Sequence, residues 1–312
     1  MENSKAAIVV SSLGKRFGAT VAVDGLSFDV QPGEIFGLVG PDGAGKTTTL
    51  RILAGVLPAD SGAVRVAGHN VVRDPERAKH DLSYMPQRFG LYEDLTVDEN
   101  VRFYADLYRV RTAAREPREK QLLVAAGMSE FRRRLAGKLS GGMKQKLGLV
   151  CALIHTPKVI LLDEPTTGVD PVSRRDFWKI LYSLAMEGVA ILISTAYLDE
   201  AERCHRVALL NQGKLLFCDT PARLKSKLGK SVLAVISPNP RGVRDTLEKA
   251  AGVSSLVLTG DGVHVVVDDA QRRMREFQSR LTEAHVPFDE LIPTLPSIED
   301  LFVESVTQKG QA

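Results

Sequence analysis

The sequence predicts an α/β protein built on a largely parallel sheet, followed by a smaller α+β module. Three observations carry this prediction. Between Ile8 and about Leu228, short β-branched runs alternate with longer helical patterns, as strand–helix–strand units do. The runs Ile35–Val39, Val159–Leu162 and Ala190–Ser194 are continuously apolar, as strands buried on both faces must be, and polar or glycine-rich residues follow each at once. After Gly229 the pattern changes to strand 232–236, helix 243–251, strands 254–258 and 263–267, helix 270–284 and an extended 288–292. That order, βαββαβ, is a ferredoxin-like split βαβ module, with Gly260-Asp261-Gly262 as its tight hairpin.

Composition allows this organisation. At 312 residues, with 44% apolar and 25% charged, the chain can bury two cores. A net charge of +3 is too small to imply a nucleic-acid partner, and Arg132-Arg133-Arg134 reads as a solvated surface turn. No apolar run approaches the roughly 20 residues of a membrane helix, and the Ala6–Val10 run is short for an export signal. Cys151, Cys204 and Cys218 are odd in number and lack CxxC spacing, so a reducing, cytoplasmic setting is expected.

Between about Thr96 and Leu139 the strand signal vanishes. Val97, Val101, Tyr104, Leu107 and Tyr108 recur at helical spacing, which predicts an inserted helical subdomain over about 96–156 with that stripe in its core.

Ligands in open α/β sheets sit beyond the carboxyl ends of strands, so the strand exits are where chemistry is expected. After Val39 comes Gly40-Pro41-Asp42-Gly43-Ala44-Gly45-Lys46-Thr47-Thr48, matching GxxxxGK[ST]. Such glycines let backbone N–H groups converge on phosphate oxygens, and the following helix adds its positive dipole end. Lys46 is expected to reach the β and γ phosphates of ATP, and the Thr47 hydroxyl to ligate Mg²⁺. The strand 159–162 runs into Asp163-Glu164. Asp163 is expected to hold Mg²⁺ through water, and Glu164 to polarise the attacking water as general base. Leu139-Ser140-Gly141-Gly142-Met143-Lys144-Gln145 reads either as an ordinary helix N-cap or as a second anion-binding nest, with Met143, Leu147, Val150 and Ile154 forming an apolar face behind it. One γ-phosphate does not need two nests from one chain, so the second would serve a nucleotide held by another subunit.

Together these residues resemble the ABC ATPase family over about Ile8–Leu228. The motif order carries the resemblance: Walker A at 40–47, Q-loop Gln87, signature 139–145, Walker B 159–163, catalytic Glu164, and the D-loop Gly168-Val169-Asp170. The resemblance implies a nucleotide-binding domain over 5–228, with a RecA-like core, a β-rich subdomain and the helical insertion, and an accessory domain over 229–312. It makes Phe17 the aromatic that stacks on adenine, the alternative being a core phenylalanine. It implies that Gln87 senses Mg²⁺ or the attacking water, and that Ser140, Gly141, Gly142, Gln145 and Asp170 complete the nucleotide site of a two-subunit sandwich. The helical subdomain is then the part that grips a membrane permease.

One position departs from the family pattern. A histidine usually follows the strand corresponding to 190–194, as in STH, whereas this chain reads Ser194-Thr195-Ala196-Tyr197. Losing one preorganised donor costs about 3–4 kcal/mol, roughly a hundred- to thousandfold in turnover. Tyr197 points elsewhere on a helix start, and His205 reads as a surface or packing residue. Two readings follow: pairing with a different ATPase subunit that keeps the histidine, or a homodimer that hydrolyses slowly through Glu164. The segments GPDGAGKTT, YMPQ, FGLYEDLT, LAGKLSGGMKQKLGL and STAYLDEAE resemble the amino-terminal half of YbhF-type tandem ATPase subunits, which favours the first. That resemblance implies an ABC-2 type permease, a periplasmic HlyD-like adaptor, and a location on the inner face of the membrane. Pro296–Phe302 resembles the PSLEDVF ending of drug-export ATPases, and reads equally as an N-capped terminal helix. A non-transport ABC ATPase would be expected to show two cassettes or sustained heptads, and a non-hydrolysing subunit would lack Lys46, Asp163 or Glu164.

Overall fold

The computed structural model describes residues 6–310, and the side chains up to residue 307. The chain begins with β1 (Ile8–Phe17), β2 (Thr20–Val30), β3 (Ile35–Val39), α1 (Lys46–Leu53), β4 (Ser61–Val66), β5 (His69–Asn70), α2 (Pro75–His80) and β6 (Leu82–Met85). Next come α3 (Val97–Leu107), α4 (Thr112–Ala125), α5 (Gly141–Leu153), β7 (Val159–Asp163), α6 (Pro171–Met186), β8 (Ala190–Thr195), α7 (Leu198–Ala201), β9 (Arg206–Asn211) and β10 (Lys214–Asp219). The remainder is α8 (Pro221–Ser226), β11 (Ser231–Ile236), α9 (Pro240–Leu247), β12 (Val253–Leu258), β13 (Gly262–Val267), α10 (Ala270–Glu283), β14 (Glu290–Thr294) and α11 (Ile298–Gly310). Two compact units result, one running to Glu200 and including Cys204–Cys218, the other holding Ala201–Arg203 and the chain from Asp219 onward.

In the first unit, a six-stranded sheet has the order β10-β9-β3-β8-β7-β6, and β9, β3, β8, β7 and β6 pair in parallel. All residues of β3, β7 and β8 are buried, which explains their unbroken apolar runs. Because β8 lies between β3 and β7, and β6 flanks β7, the exits of four strands stand side by side. A second, antiparallel sheet, β2-β1-β4-β5, shares one core with it, where Phe28 stacks on Phe36 at 5.2 Å.

The helical insertion comprises α3, α4 and α5. Thr96 and Glu99 form a reciprocal capping box at the start of α3. Asn100, fully buried on α3, accepts the Tyr92 N–H at 2.9 Å and donates to the carbonyls of Tyr92 and Thr96 at 3.0 Å. Three sequence expectations change here. Leu107 is 61% exposed and is not part of the buried stripe, which is limited to Val97, Val101 and Ala105 with the tyrosines half-buried. The C-terminal half of α5, Leu147 to Leu153, is buried all round, so it has no single apolar face. Arg132 is no solvated turn residue: its guanidinium donates to Asp98 at 2.8 and 3.1 Å and to Glu119, tying the loop before α5 to α3 and α4. Burial of Glu119, reinforced by the Asp98 charge, raises its pKa, and Arg132 opposes that shift.

The second unit has the strand order β12-β13-β11-β14 with antiparallel pairing, which is the ferredoxin-like arrangement. Leu233, Val235, Val263, Val265 and Val267 meet Leu247 of α9 and Phe277 of α10 in its core. The first helix runs 240–247 instead of 243–251, because Asn239 caps it and Pro240 occupies its first turn. The last strand is shifted to 290–294. α8 packs against α11 within this unit, so the compact division falls near 218/219, ahead of the 228/229 expected. Ser297 and Asp300 cap α11 reciprocally at 2.7 and 3.1 Å, and Asp300 also holds His264 of β13, raising that imidazole's pKa.

Candidate functional site

The loop after β3 turns back on its own strand neighbour, with the Gly40 N–H donating to the Thr195 carbonyl at 3.3 Å. Two of its glycines are required by the chain itself. A Cβ on Gly40 would lie 2.3 Å from the Leu210 carbonyl, and one on Gly45, whose φ is 96°, would lie 2.3 Å from that of Ala22. Pro41, Asp42 and Gly43 form the exposed crest, while Ala44 is buried and Thr48 half-buried. Lys46 opens α1, is only 5% exposed, and reaches back across the loop to donate to the carbonyls of Gly40 (2.8 Å) and Pro41 (3.1 Å). Its ammonium also pairs with Glu164 at 3.2 Å.

The carboxylates arrive from β7. Asp163 Oδ1 accepts the Thr47 hydroxyl at 3.0 Å and the Ser194 hydroxyl at 2.7 Å, while Oδ2 accepts the Tyr84 hydroxyl at 3.3 Å. Burial, then the Asp163 charge, pushes the Tyr84 phenol up to about 12, which keeps it a donor. Glu164 has left-handed backbone, φ 48°, a conformation costing about 1–3 kcal/mol that surrounding contacts must hold. Its N–H donates to the Ser194 carbonyl and hydroxyl, both at 3.1 Å. Its carboxylate accepts the Gln87 amide at 3.2 Å. Lys46, Thr47, Gln87, Asp163 and Glu164 therefore form one connected cluster at the exits of β3, β6 and β7.

Hydroxyl, carboxylate and amide oxygens suit a small hard cation, and one carboxylate plus phosphate oxygens is the usual Mg²⁺ donor set. Thr47, Asp163 and Gln87 supply such donors. Among the described residues, no group of three or more His, Cys, Asp or Glu forms a separate metal cluster.

Ser140, Gly141, Gly142 and Gln145 stand elsewhere, at the start of α5. The Ser140 hydroxyl caps that helix, accepting the Met143 N–H at 3.3 Å. Asp170 likewise caps α6, accepting the N–H groups of Val172 (3.1 Å) and Ser173 (2.9 Å), which hold its carboxyl below the ordinary range. The two helix starts are packed together: a Cβ on Gly142 would lie 2.5 Å from Ser173. Gly141 is exposed, its nearest neighbour being the Gly168 carbonyl, 3.9 Å from where a Cβ would lie.

Phe17 is 51% exposed, which removes the alternative of a core phenylalanine, and the Lys15 ammonium lies 5.5 Å from its ring centre. Ala196 is exposed, and the Tyr197 ring faces the Arg174 guanidinium at 5.0 Å. His205 is a structural acceptor for the Ile35 N–H at 2.9 Å. The sequence reading missed Ser194 and Tyr84. Their one visible signal was a polar residue near the exit of an apolar strand.

The chain is similar to known proteins in sequence and in fold. Residues 23–167 match the family model described as ABC transporter. The chain is similar to the probable multidrug ABC transporter ATP-binding protein YbhF of Escherichia coli (strain K12), at 43% identity over 98% of this chain and 53% of that protein. It thus spans about half the length of that relative. It is also similar to the Nod factor export ATP-binding protein I of Burkholderia orbicola (strain AU 1054), at 38% identity over 99% of both chains. Among solved structures, an ATP-binding subunit of an ABC transporter superposes with a TM-score of 0.65 at 30% identity, covering 72% of this chain and 93% of that one. The fold is shared with cbiO1 of Clostridium perfringens, with a TM-score of 0.66 at 22% identity over 79% and 96% of the two chains.

Proposed function

The chain belongs to the family of ABC transporter ATP-binding proteins, whose shared domain binds and hydrolyses ATP, and from that premise we propose that it powers an exporter as one half of a two-subunit ATP sandwich. The observation that carries this reading is the separation of two anion-seeking elements. The cluster around Lys46 is joined by bonds within its own chain, while Ser140–Gly142 sits on another helix and is tied to α6.

In this reading Lys46 neutralises the phosphates, and Thr47, Asp163 and Gln87 hold Mg²⁺. The ion would supply positive charge to the phosphate oxygens. Glu164 takes the proton of the attacking water, with Gln87 orienting its carboxylate and the Lys46 ammonium 3.2 Å away. Phe17 stacks on the adenine. Ser140, Gly141, Gly142 and Gln145 cover the nucleotide of the opposing subunit, and Asp170 fixes the helix beside them.

Ala196 carries no donor and Tyr197 is engaged with Arg174, which supports a partner subunit that keeps the usual histidine. The names of the relatives, multidrug transporter and Nod factor export, support export; in this reading the permease is of ABC-2 type, with a periplasmic HlyD-like adaptor in the assembly. Among the described residues no helix is long and apolar enough to cross a membrane, so attachment would come through the permease, from its inner side. A hollow of about 840 Å³ beside the helical insertion, with Lys79, Arg109, Arg111 and Arg118 around Tyr108 and Leu107, is the surface suited to that permease. The unit after Asp219 serves as a regulatory or dimer-clamping domain.

Cysteines at Asp42 and Gly141, introduced together, test the sandwich. With ATP present and the pairing subunit, identical or different, carrying cysteines at its matching positions, the crosslink should join two polypeptides, and disulfides formed solely within single chains would overturn the reading. Purification with native membrane partners then identifies the permease and any second ATPase.

A further inference from the structure

The exit of β8 lacks the side chain expected at 196, yet it reaches the reacting end of the sheet two residues earlier. In the parallel register Asp163 stands opposite Ser194, and Val39 opposite Thr195. Ser194 is fully buried. Its hydroxyl has one proton and two lone pairs, and two of these three capacities are used on neighbouring acids. The proton goes to Asp163 Oδ1 at 2.7 Å, and one lone pair accepts the Glu164 N–H at 3.1 Å. The Ser194 carbonyl accepts the same N–H at 3.1 Å.

Each of these contacts constrains something a free side chain would not. Asp163 is held by three hydroxyls from three elements, and the Ser194 bond is the shortest of them. Glu164 adopts left-handed backbone that no glycine relieves, and both acceptors for its N–H belong to one residue. Moving Ser194 would therefore take the shortest of three bonds from the carboxylate and both acceptors from the strained peptide.

We infer that Ser194 is a positioning residue for hydrolysis, its single hydroxyl fixing the Asp163 carboxylate and the Glu164 backbone at once. The inference rests on the roles given above to Asp163 and Glu164. It assigns to β8 a contribution to turnover that does not pass through position 196.

The test compares Ser194→Ala, Ser194→Thr and Ser194→Cys in the full chain, with Glu164→Gln as reference. Turnover, KM for ATP, Mn²⁺ affinity by electron paramagnetic resonance with ATP present, and Tm are measured on each. Loss of an orienting hydrogen bond behind a metal ligand typically costs about 10- to 100-fold in metal affinity or activity. Ser194→Ala should lower kcat within that range, weaken Mn²⁺ binding about tenfold and leave KM near its starting value. Ser194→Thr, which keeps the hydroxyl, should restore both. Should the alanine variant not fold, Ser194→Cys retains the volume with a weak donor and should show the same losses. The inference is overturned when Ser194→Ala keeps turnover and Mn²⁺ affinity unchanged, or when threonine and alanine fail alike. If Glu164→Gln abolishes turnover while Ser194→Ala is neutral, only the serine assignment falls. If Glu164→Gln is itself neutral, the reading of Glu164 as base falls with it.

Discussion

The loop after β3 and the start of α5 are both glycine-bearing entries to a helix, yet they differ in where their polar groups are spent. Around Lys46 nearly every charged atom has an internal partner: two carbonyls and Glu164 for the ammonium, three hydroxyls for Asp163, Gln87 for Glu164. At Ser140 the hydroxyl closes its own helix, and Gly141 presents bare backbone outward. The first region is a preorganised cluster, and the second is an exposed helix start, the complement that the proposed sandwich would use. A sandwich of two chains needs one of each.

Three substitutions break or sharpen that contrast. The largest effect is expected of Ala196→His, which returns a donor to the self-contained cluster and should raise turnover by about 10²–10³. A rise of less than a few-fold in steady-state hydrolysis would show that a missing phosphate contact is not what limits the enzyme. Gly142→Ala should come next, destabilising the chain by about 1–3 kcal/mol because its methyl meets Ser173 at 2.5 Å. Thermal or denaturant unfolding reads this directly, and an unshifted midpoint would mean α5 and α6 are not held as described. Gly141→Ala is the smallest in stability, within about 0.5 kcal/mol, since nothing in its own chain stands in the way. Its cost should appear as about tenfold lower turnover, roughly the worth of a single hydrogen bond to the nucleotide, with an unchanged melting temperature. Full activity in that variant would remove the outward-facing nest from the mechanism.

The readability of these regions from sequence differed for physical reasons. β3, β7 and β8 announced themselves because parallel strands covered on both faces are apolar throughout, and the loop between Gly40 and Thr47 is a local object whose chemistry lies within one short stretch of chain. The ferredoxin-like order of the second unit followed from alternation and turn residues in the same way. Ser194 and Tyr84 were not legible, because their contacts with Asp163 exist only once β8 and β6 flank β7 in register. Helical spacing marked the stripe on α3 but not what covers it, and Leu107 is left exposed. The triplet Arg132–Arg134 gave no hint that one of its members bridges two helices, since Asp98 and Glu119 are 34 and 13 residues away.

Asn100 has a mechanical consequence. Its amide staples the loop from Tyr92 to Thr96 to α3 through four hydrogen bonds, so that stretch has little slack. Residues 92–96 are therefore carried by α3 as one piece, so a displacement of that helix would move the end of the loop with it.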